Sequence, residues 1–331
     1  MLTRKRKTKL ELDVDPASAK KSKIDLEKTC DFFETISNYT CDLKLPSVPP
    51  ATESLKISIV LQYLIKEQKL QSAQMHEPWE IIVAKDDDNN IYWAQISRGL
   101  VSYNSRDVKI AYVPIHLTFV DSDIVGETKP IDIPNLDDML LDSDTQGHAN
   151  ALIIDTENKT AELFEPHGWD ESWHDLVFQE ISDLLQSRQI KLLDSEQYCP
   201  RVGPQQFKGD NFCSWWSWLH IYLKIFCPDV TIRQIHDYIS RQDEDFTWKL
   251  LLGFYCYIQS VYDQKHLSKY LEFHVSSSSF KKASDARRLA KTPDQQARAT
   301  KTSQNLFYIY KLLDMGNIDR AEKMISKFTK T

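Results

Sequence analysis

Glycine is scarce in this chain, eight among 331 residues. Neither G-x-G-x-x-G nor G-x-x-x-x-G-K-[ST] occurs. That excludes the dinucleotide fingerprint and the P-loop, which both need glycines so that backbone N–H groups can approach a phosphate. Long apolar runs are missing as well. None nears the roughly 18 residues that span a bilayer, and the charged N-terminus has no apolar signal core. The chain is therefore expected to be soluble and intracellular. Cysteine is thinly spread: Cys30, Cys41, Cys199, Cys213, Cys227 and Cys256 include no C-x-x-C pair. A compact zinc site or redox pair is not expected, nor, without a signal peptide, a disulfide framework. Most of these thiols are expected to act as small buried hydrophobes. No metal or cofactor is implied.

What is present is ordinary globular material, 41% hydrophobic and 27% charged, enough for one large domain or two smaller ones. The net charge of −7 is unevenly distributed, because residues 1–28 carry nine Lys or Arg against five Asp or Glu. Arg4-Lys5-Arg6-Lys7 and Lys20-Lys21-Ser22-Lys23 lie in a stretch too poor in apolar residues to nucleate a core. Residues 1–50 read as a basic, polar, disordered tail with the composition of a nuclear-import signal or a polyanion contact, nucleic acid included. Residues 51–274 read as the folded domain, and 275–302 as a second basic, polar linker. Over 303–331, Leu306, Ile309, Tyr310 and Leu313, then Ile318, Ala321, Met324, Ile325 and Phe328, recur at helical spacing about Met315-Gly316-Asn317. That pattern predicts a C-terminal helical hairpin.

Within the body, apolar spacing predicts a helix over 54–74. Strands follow over 79–83, 91–96 and 108–120, the last broken near Pro114. Asp86-Asp87-Asp88-Asn89-Asn90 reads as a solvated hairpin turn, since it lacks the further ligands of a calcium loop. Strands 151–154 and 160–164 flank a turn at Thr156-Glu157-Asn158-Lys159. A helix follows from Asp170, a strand over 190–193, a helix apolar nearly all round over 213–227, and helices over 231–242 and 245–263. This order predicts an α+β domain with a central mixed or antiparallel sheet and a buried helix beginning at Cys213.

Three local features combine into a mechanism. They are Gly147-His148-Ala149-Asn150, Phe164-Glu165-Pro166-His167-Gly168, and Gln205-Gln206 followed by Asp210-Asn211-Phe212-Cys213-Ser214-Trp215-Trp216. Singly each has a plain explanation: a surface histidine, a proline ending a strand, a buried cysteine. Together they supply the parts of nucleophilic catalysis. A helix N-terminus favours a thiolate at Cys213, an imidazole can hold and return the proton, and a carboxylate can orient the imidazole. Pairing of 151–154 with 160–164 brings His148 and Glu165 to face each other at the open end of the hairpin. Asn150 could share the orienting role. Gln206, with Gln205 as competitor, is placed to donate to an oxyanion. Trp215, Trp216, Trp218, Leu219, Leu223 and Phe226 read as core. Trp169 and Trp173 read as helix packing ahead of cleft lining, and His167 as unnecessary to the chemistry.

The order His, acid at +17, Gln, then Cys seven residues after that Gln resembles the adenovirus protease, adenain. The segment Lys159-Thr160-Ala161-Glu162-Leu163-Phe164-Glu165-Pro166-His167-Gly168 is very similar to the one carrying that family's acidic residue. The pattern is also similar to SUMO proteases, which share the circularly permuted papain-like fold, and to protease-like proteins of large DNA viruses. The resemblance covers about residues 145–230. It implies Cys213 as nucleophile, His148 as general base and acid, Glu165 as orienter and Gln206 as oxyanion donor. Those families usually have Trp where Ala149 stands and Gly where Ser214 stands, and SUMO proteases have Asp where Phe212 stands. The implied activity is a thiol endopeptidase acting on viral precursor proteins or ubiquitin-like conjugates, in a host nucleus or cytoplasm or in a virion. A non-catalytic virion or interaction protein and a cysteine-dependent acyltransferase are the competing readings. The basic tail makes its own prediction: removing residues 1–28 weakens salt-sensitive retention on a polyanion column and nuclear accumulation, and leaves peptidase activity intact.

Overall fold

The computed structural model describes residues 31–42, 45, 51–98, 108–126, 147–169, 173–194, 201–205 and 212–267, a few single positions excepted. The basic clusters before residue 31, the 275–302 linker and the 303–331 hairpin lie outside the described residues.

The first long helix, α1 (Ala51–Glu67), buries Ile57, Val60, Leu61, Leu64 and Ile65 along one stripe. It is shorter than the apolar spacing predicts. Lys69 takes a φ of 56, and its N–H donates to Lys66 while that of Leu70 reaches back to Ile65. This is a Schellman ending with lysine where glycine is usual, and it releases the following residues to form a strand.

Among the described residues seven strands form one mixed sheet: β1 (Ala73–Met75), β2 (Trp79–Lys85), β3 (Ile91–Arg98), β4 (Ile110–Asp121), β5 (Gly147–Asp155), β6 (Thr160–Phe164) and β7 (Lys191–Leu192). The order is β3-β2-β4-β5-β6-β7, with β1 also on β4. β2–β3, β4–β5 and β5–β6 are antiparallel, whereas β1–β4, β2–β4 and β6–β7 are parallel. The Asp86 turn forms as expected, its carboxylate accepting from the Asn90 N–H at 2.8 Å and from the Tyr92 hydroxyl at 3.0 Å.

β4 runs unbroken through Pro114, contrary to the expected interruption. The register explains how a central strand tolerates a residue without an N–H. The Tyr112 carbonyl accepts from His76, so Tyr112 and, two residues on, Pro114 turn their backbone groups toward β1 and β2. β1 pairs only as far as Tyr112 and β2 only from Ile115. The missing donor falls in the gap between them, where no ladder bond is lost.

Alternation along the strands sends side chains into two cores. Tyr112, Ala151, Ile153 and Phe164 pack under α4 (Cys213–Phe226) with Trp215, Trp216 and Leu219, as the apolar pattern of that helix predicts. On the other face Val113, Ile115, Leu152, Ile154 and Leu163 pack against Val177, Ile181 and Leu185 of α3 (His174–Gln186), the second helix after a single turn, α2 (Ser122–Val125). Two further helices, α5 (Ile232–Ile239) and α6 (Glu244–Gln264), start at Thr231 and Asp243, whose side chains accept from the N–H groups of Gln234 and Phe246. α6 packs along α4 through Trp215–Tyr255 and Tyr222–Phe254 ring contacts.

Two expectations fail at the N-terminal side. Residues 33–37, within the stretch read as a disordered tail, are helical, and Phe33 and Ile36 are buried in the α4 core. Phe33 stacks on Tyr238 at 4.9 Å. Gly253 of α6 allows the close crossing, because a Cβ there would lie 2.1 Å from the Ile36 carbonyl oxygen. In addition Cys41 and Cys256, read as separate thiols, are joined by a disulfide. The two are 215 residues apart in sequence, so only the fold brings them together. Cross-linking ends so far apart in the chain restricts the unfolded ensemble. Cys41→Ser is therefore expected to lower unfolding free energy by about 2–4 kcal/mol, read as a shifted denaturation midpoint that dithiothreitol reproduces in the native protein. An unshifted midpoint in both would show that the cross-link adds no stability.

Candidate active site

The β5–β6 hairpin builds the site. Its turn is fixed by the Asp155 carboxylate, which accepts from the N–H groups of Glu157 and Asn158 at 3.0 and 2.9 Å. Pairing runs from Asp155↔Thr160 to Ala151↔Phe164, where β6 stops and β5 continues with β4 as its one strand partner. Extending the register sets Asn150, not His148, opposite Glu165. His148 lies one two-residue step further out, so Glu165 reaches it diagonally. The expectation that the two face each other directly is corrected by that step. Period-two alternation still puts His148 and Asn150 on one face. The Glu165 carboxylate meets His148 Nε2 through Oε1 at 2.7 Å and accepts from Asn150 Nδ2 through Oε2. Oε1 also accepts from the His167 backbone N–H at 3.0 Å.

These groups are out of water: Glu165 and Asn150 are each 1% exposed and His148 7%. Burial alone would push the His148 imidazole down. The Glu165 charge, with hydrogen bonds to Cys213 and Glu165, outweighs it and holds His148 raised to about 10. Burial likewise pushes Glu165 up, but the His148 charge and the donors of His148, His167 and Asn150 keep it below its usual value. Aromatic rings enclose the pair. His167 stacks on His148 at 5.0 Å and Trp173 meets it edge-on at 5.4 Å. Trp173, read as helix packing, thus also covers the imidazole.

Cys213 is the first residue of α4, and the residue before it, Phe212, contributes no side-chain cap. The positive end of the helix dipole therefore lies at the sulfur end of the helix. The Cys213 thiol lies near enough to His148 to help hold its imidazole protonated. Because Nε2 is engaged by Glu165, Nδ1 is the nitrogen left for the thiol. Cys213, His148, Glu165 and Asn150 are thus brought together. Gln206 lies outside the described residues, and Gln205 is buried, with its N–H donating to the Pro166 carbonyl at 3.0 Å.

Sequence reasoning missed the crossing that holds the acidic loop. Gly203 donates its N–H to the His167 carbonyl at 2.7 Å. A Cβ on Gly203 would lie 1.9 Å from the Pro166 oxygen, and one on Gly168, at φ +101, 2.1 Å from the Arg201 oxygen. Two of the eight glycines are spent here, and their scarcity is the signal that could have marked them. Among the described residues no three His, Cys, Asp or Glu side chains are arranged to hold a metal ion, and no helix is long and apolar enough to cross a membrane.

The shifts carry a stability consequence. His148 is raised on folding, so its contribution is fully present below its unfolded value near 6.5 and is lost as pH rises toward 10. Glu165 is lowered, so its contribution is present above 4.5 and lost as pH falls through its folded value. The melting-temperature gap between the native protein and His148→Ala should therefore be widest between about pH 4.5 and 6.5 and close by about pH 10. A gap independent of pH would mean that the pair adds no charge-linked stability.

No protein-family model matches the chain, and no curated protein matches it. Among solved structures, that of the Chlamydia trachomatis effector protein Cdu1 bound to ubiquitin is similar to it at a TM-score of 0.31 and 12% identity, over 73% of this chain and 92% of that one.

Proposed function

We propose that this chain is a thiol peptidase with a papain-like catalytic arrangement, of the adenain and ubiquitin-like-protein protease kind. In this reading Cys213 is the nucleophile, His148 the proton carrier and Glu165 its orienter. The observation that carries it is the imidazole of His148, held between the Glu165 carboxylate and the Cys213 thiol at the start of a buried helix. Asn150, which donates to the second Glu165 oxygen, orients the carboxylate in turn.

The chemistry follows from these positions. Cys213 Sγ attacks the carbonyl carbon of a peptide or isopeptide bond while its proton resides on His148. His148 delivers that proton to the departing amine, leaving a thioester on Cys213. Water, deprotonated by His148, attacks the thioester and returns the free thiol. Gln206 is the proposed donor to the oxyanion formed in both steps. It follows directly on Gln205, whose backbone is tied to Pro166, so the loop leading to it leaves the acidic turn at a fixed point. The motif resemblance supports a protein substrate, a ubiquitin-like conjugate or a precursor protein. Ala149, where those families have Trp, shares the face of Ala151 and Ile153 that packs under α4. A small residue there lets the helix approach the strand.

Proteome-wide N-terminal labelling with the native chain against Cys213→Ala tests the activity. New N-termini that appear only with the native chain are expected, and identical sets would reject the reading. In the native protein Cys213 should alkylate ahead of Cys227, the other described cysteine outside the disulfide. His148→Ala should abolish turnover, whereas Glu165→Gln, which keeps an acceptor, should retain part of it. Gln206→Ala should lower kcat by about a hundredfold with KM little changed and Cys213 alkylation preserved, and Gln205→Ala should lower kcat far less. A silent Gln206 with a crippled Gln205 would move the oxyanion role back by one residue.

A further inference from the structure

We propose that Ser217 is a positioning residue that sets the distance between Cys213 and His148. The inference rests on the thiol-peptidase reading and concerns how its two reacting side chains, carried on separate elements, are held in register.

Ser217 lies one helical turn after Cys213, so the two share a face of α4. Its Oγ donates to the Ala149 backbone carbonyl at 3.0 Å, and both residues are buried. Ala149 stands between His148 and Asn150 on the part of β5 that extends beyond Ala151, its last residue paired with β6. The bond therefore ties the nucleophile's helix to the peptide that carries the base. The far end of the helix is held separately. Lys224 Nζ donates to the Pro228 and Val230 carbonyls at 3.1 and 3.0 Å and lies 3.2 Å from Glu162 of β6. With the distal end anchored to the hairpin by Lys224, Ser217 is the second fixed point, and two points define where the helix start lies.

Two features of the sequence fit this role. Ala149 shares the strand face of Ala151 and Ile153, which packs under α4, and its small volume permits the approach that a hydroxyl bond at 3.0 Å requires. Ser217 also sits among Trp215, Trp216, Trp218 and Leu219, all buried and apolar. A hydroxyl there is costly to bury without a partner, and the Ala149 carbonyl is its acceptor.

The test is the pH profile of Cys213 alkylation by iodoacetamide in the full chain, compared among the native protein, Ser217→Ala and His148→Ala, with kcat and KM measured alongside. Ser217→Ala removes only an oxygen, so the fold is expected to persist, and far-UV circular dichroism checks that it does. In the native protein alkylation should be fast at neutral pH, and in His148→Ala it should be much slower there. Ser217→Ala should shift most of the way toward His148→Ala, with kcat lower by about tenfold or more and KM little changed. If Ser217→Ala lowers the melting temperature but keeps the native alkylation profile and kcat, the residue is merely structural and the proposal is overturned. If His148→Ala itself leaves the profile unchanged, the thiol–imidazole pairing is what fails, and the peptidase reading falls with it.

Discussion

A carboxylate cannot be carried into a protein interior unless it is charge-paired and its lone pairs are filled, and Glu165 is almost wholly enclosed. Much of the local architecture follows from that requirement. The charge partner is His148, and the remaining lone pairs are filled by the Asn150 amide and the His167 N–H. Two of these donors come from one strand at alternate positions, and the third comes from the turn that Pro166 and Gly168 shape. Removing any one would leave acceptor capacity uncompensated in a dry environment. A structural ion pair could satisfy the same electrostatics. What separates this one is the other side of the imidazole, which meets a cysteine at a helix start instead of closing on a second acid.

The sheet must also stop in the right place. β6 ends at Phe164 while β5 runs four residues past Ala151, to Gly147. Along these four residues β5 keeps its β4 partner on one side and has no β6 partner on the other, and around that edge side chains from opposite faces of the sheet can meet. His148 and Asn150 share the parity of Leu152 and Ile154, on the α3 face, whereas α4 packs on the other. Only beyond the end of β6 can Cys213 reach His148 without a strand in between. Glu165-Pro166 thus has two structural functions: the acid supplies the charge partner, and the proline follows where pairing has already ceased.

Much of this was legible before any coordinates. The hairpin, the apolar helix that begins at Cys213 and the His–acid–Cys order follow from alternation, from all-round apolarity and from motif spacing, each a local property. The errors arose where the deciding partner is remote in sequence. Pro114 reads as a break unless one knows that β1 and β2 leave a gap opposite it. Cys41 and Cys256 read as unrelated until the helical segment at 33–37 is seen to cross α6 at Gly253. The spacing over 54–74 predicts a helix that runs past its actual end because a left-handed lysine carries no strong sequence mark. The two-residue offset between His148 and Glu165 was readable in principle. It requires the register of the whole hairpin, not its midpoint.

The departures from the resembled families then acquire a physical sense. A tryptophan at position 149 would point into the α4 core, where Trp215, Trp216 and Trp218 already fill the space. With alanine there, the helix can settle onto the strand closely enough for Ser217 to take the Ala149 carbonyl. An indole nevertheless covers the imidazole, arriving from Trp173 on the opposite face. Bulk missing at one position of β5 is thus matched by tryptophans on α4 and an indole before α3. The motif differs from the families it resembles at Ala149, yet what position 149 must do in this fold, admit the helix and offer a carbonyl, is done by a residue with almost no side chain.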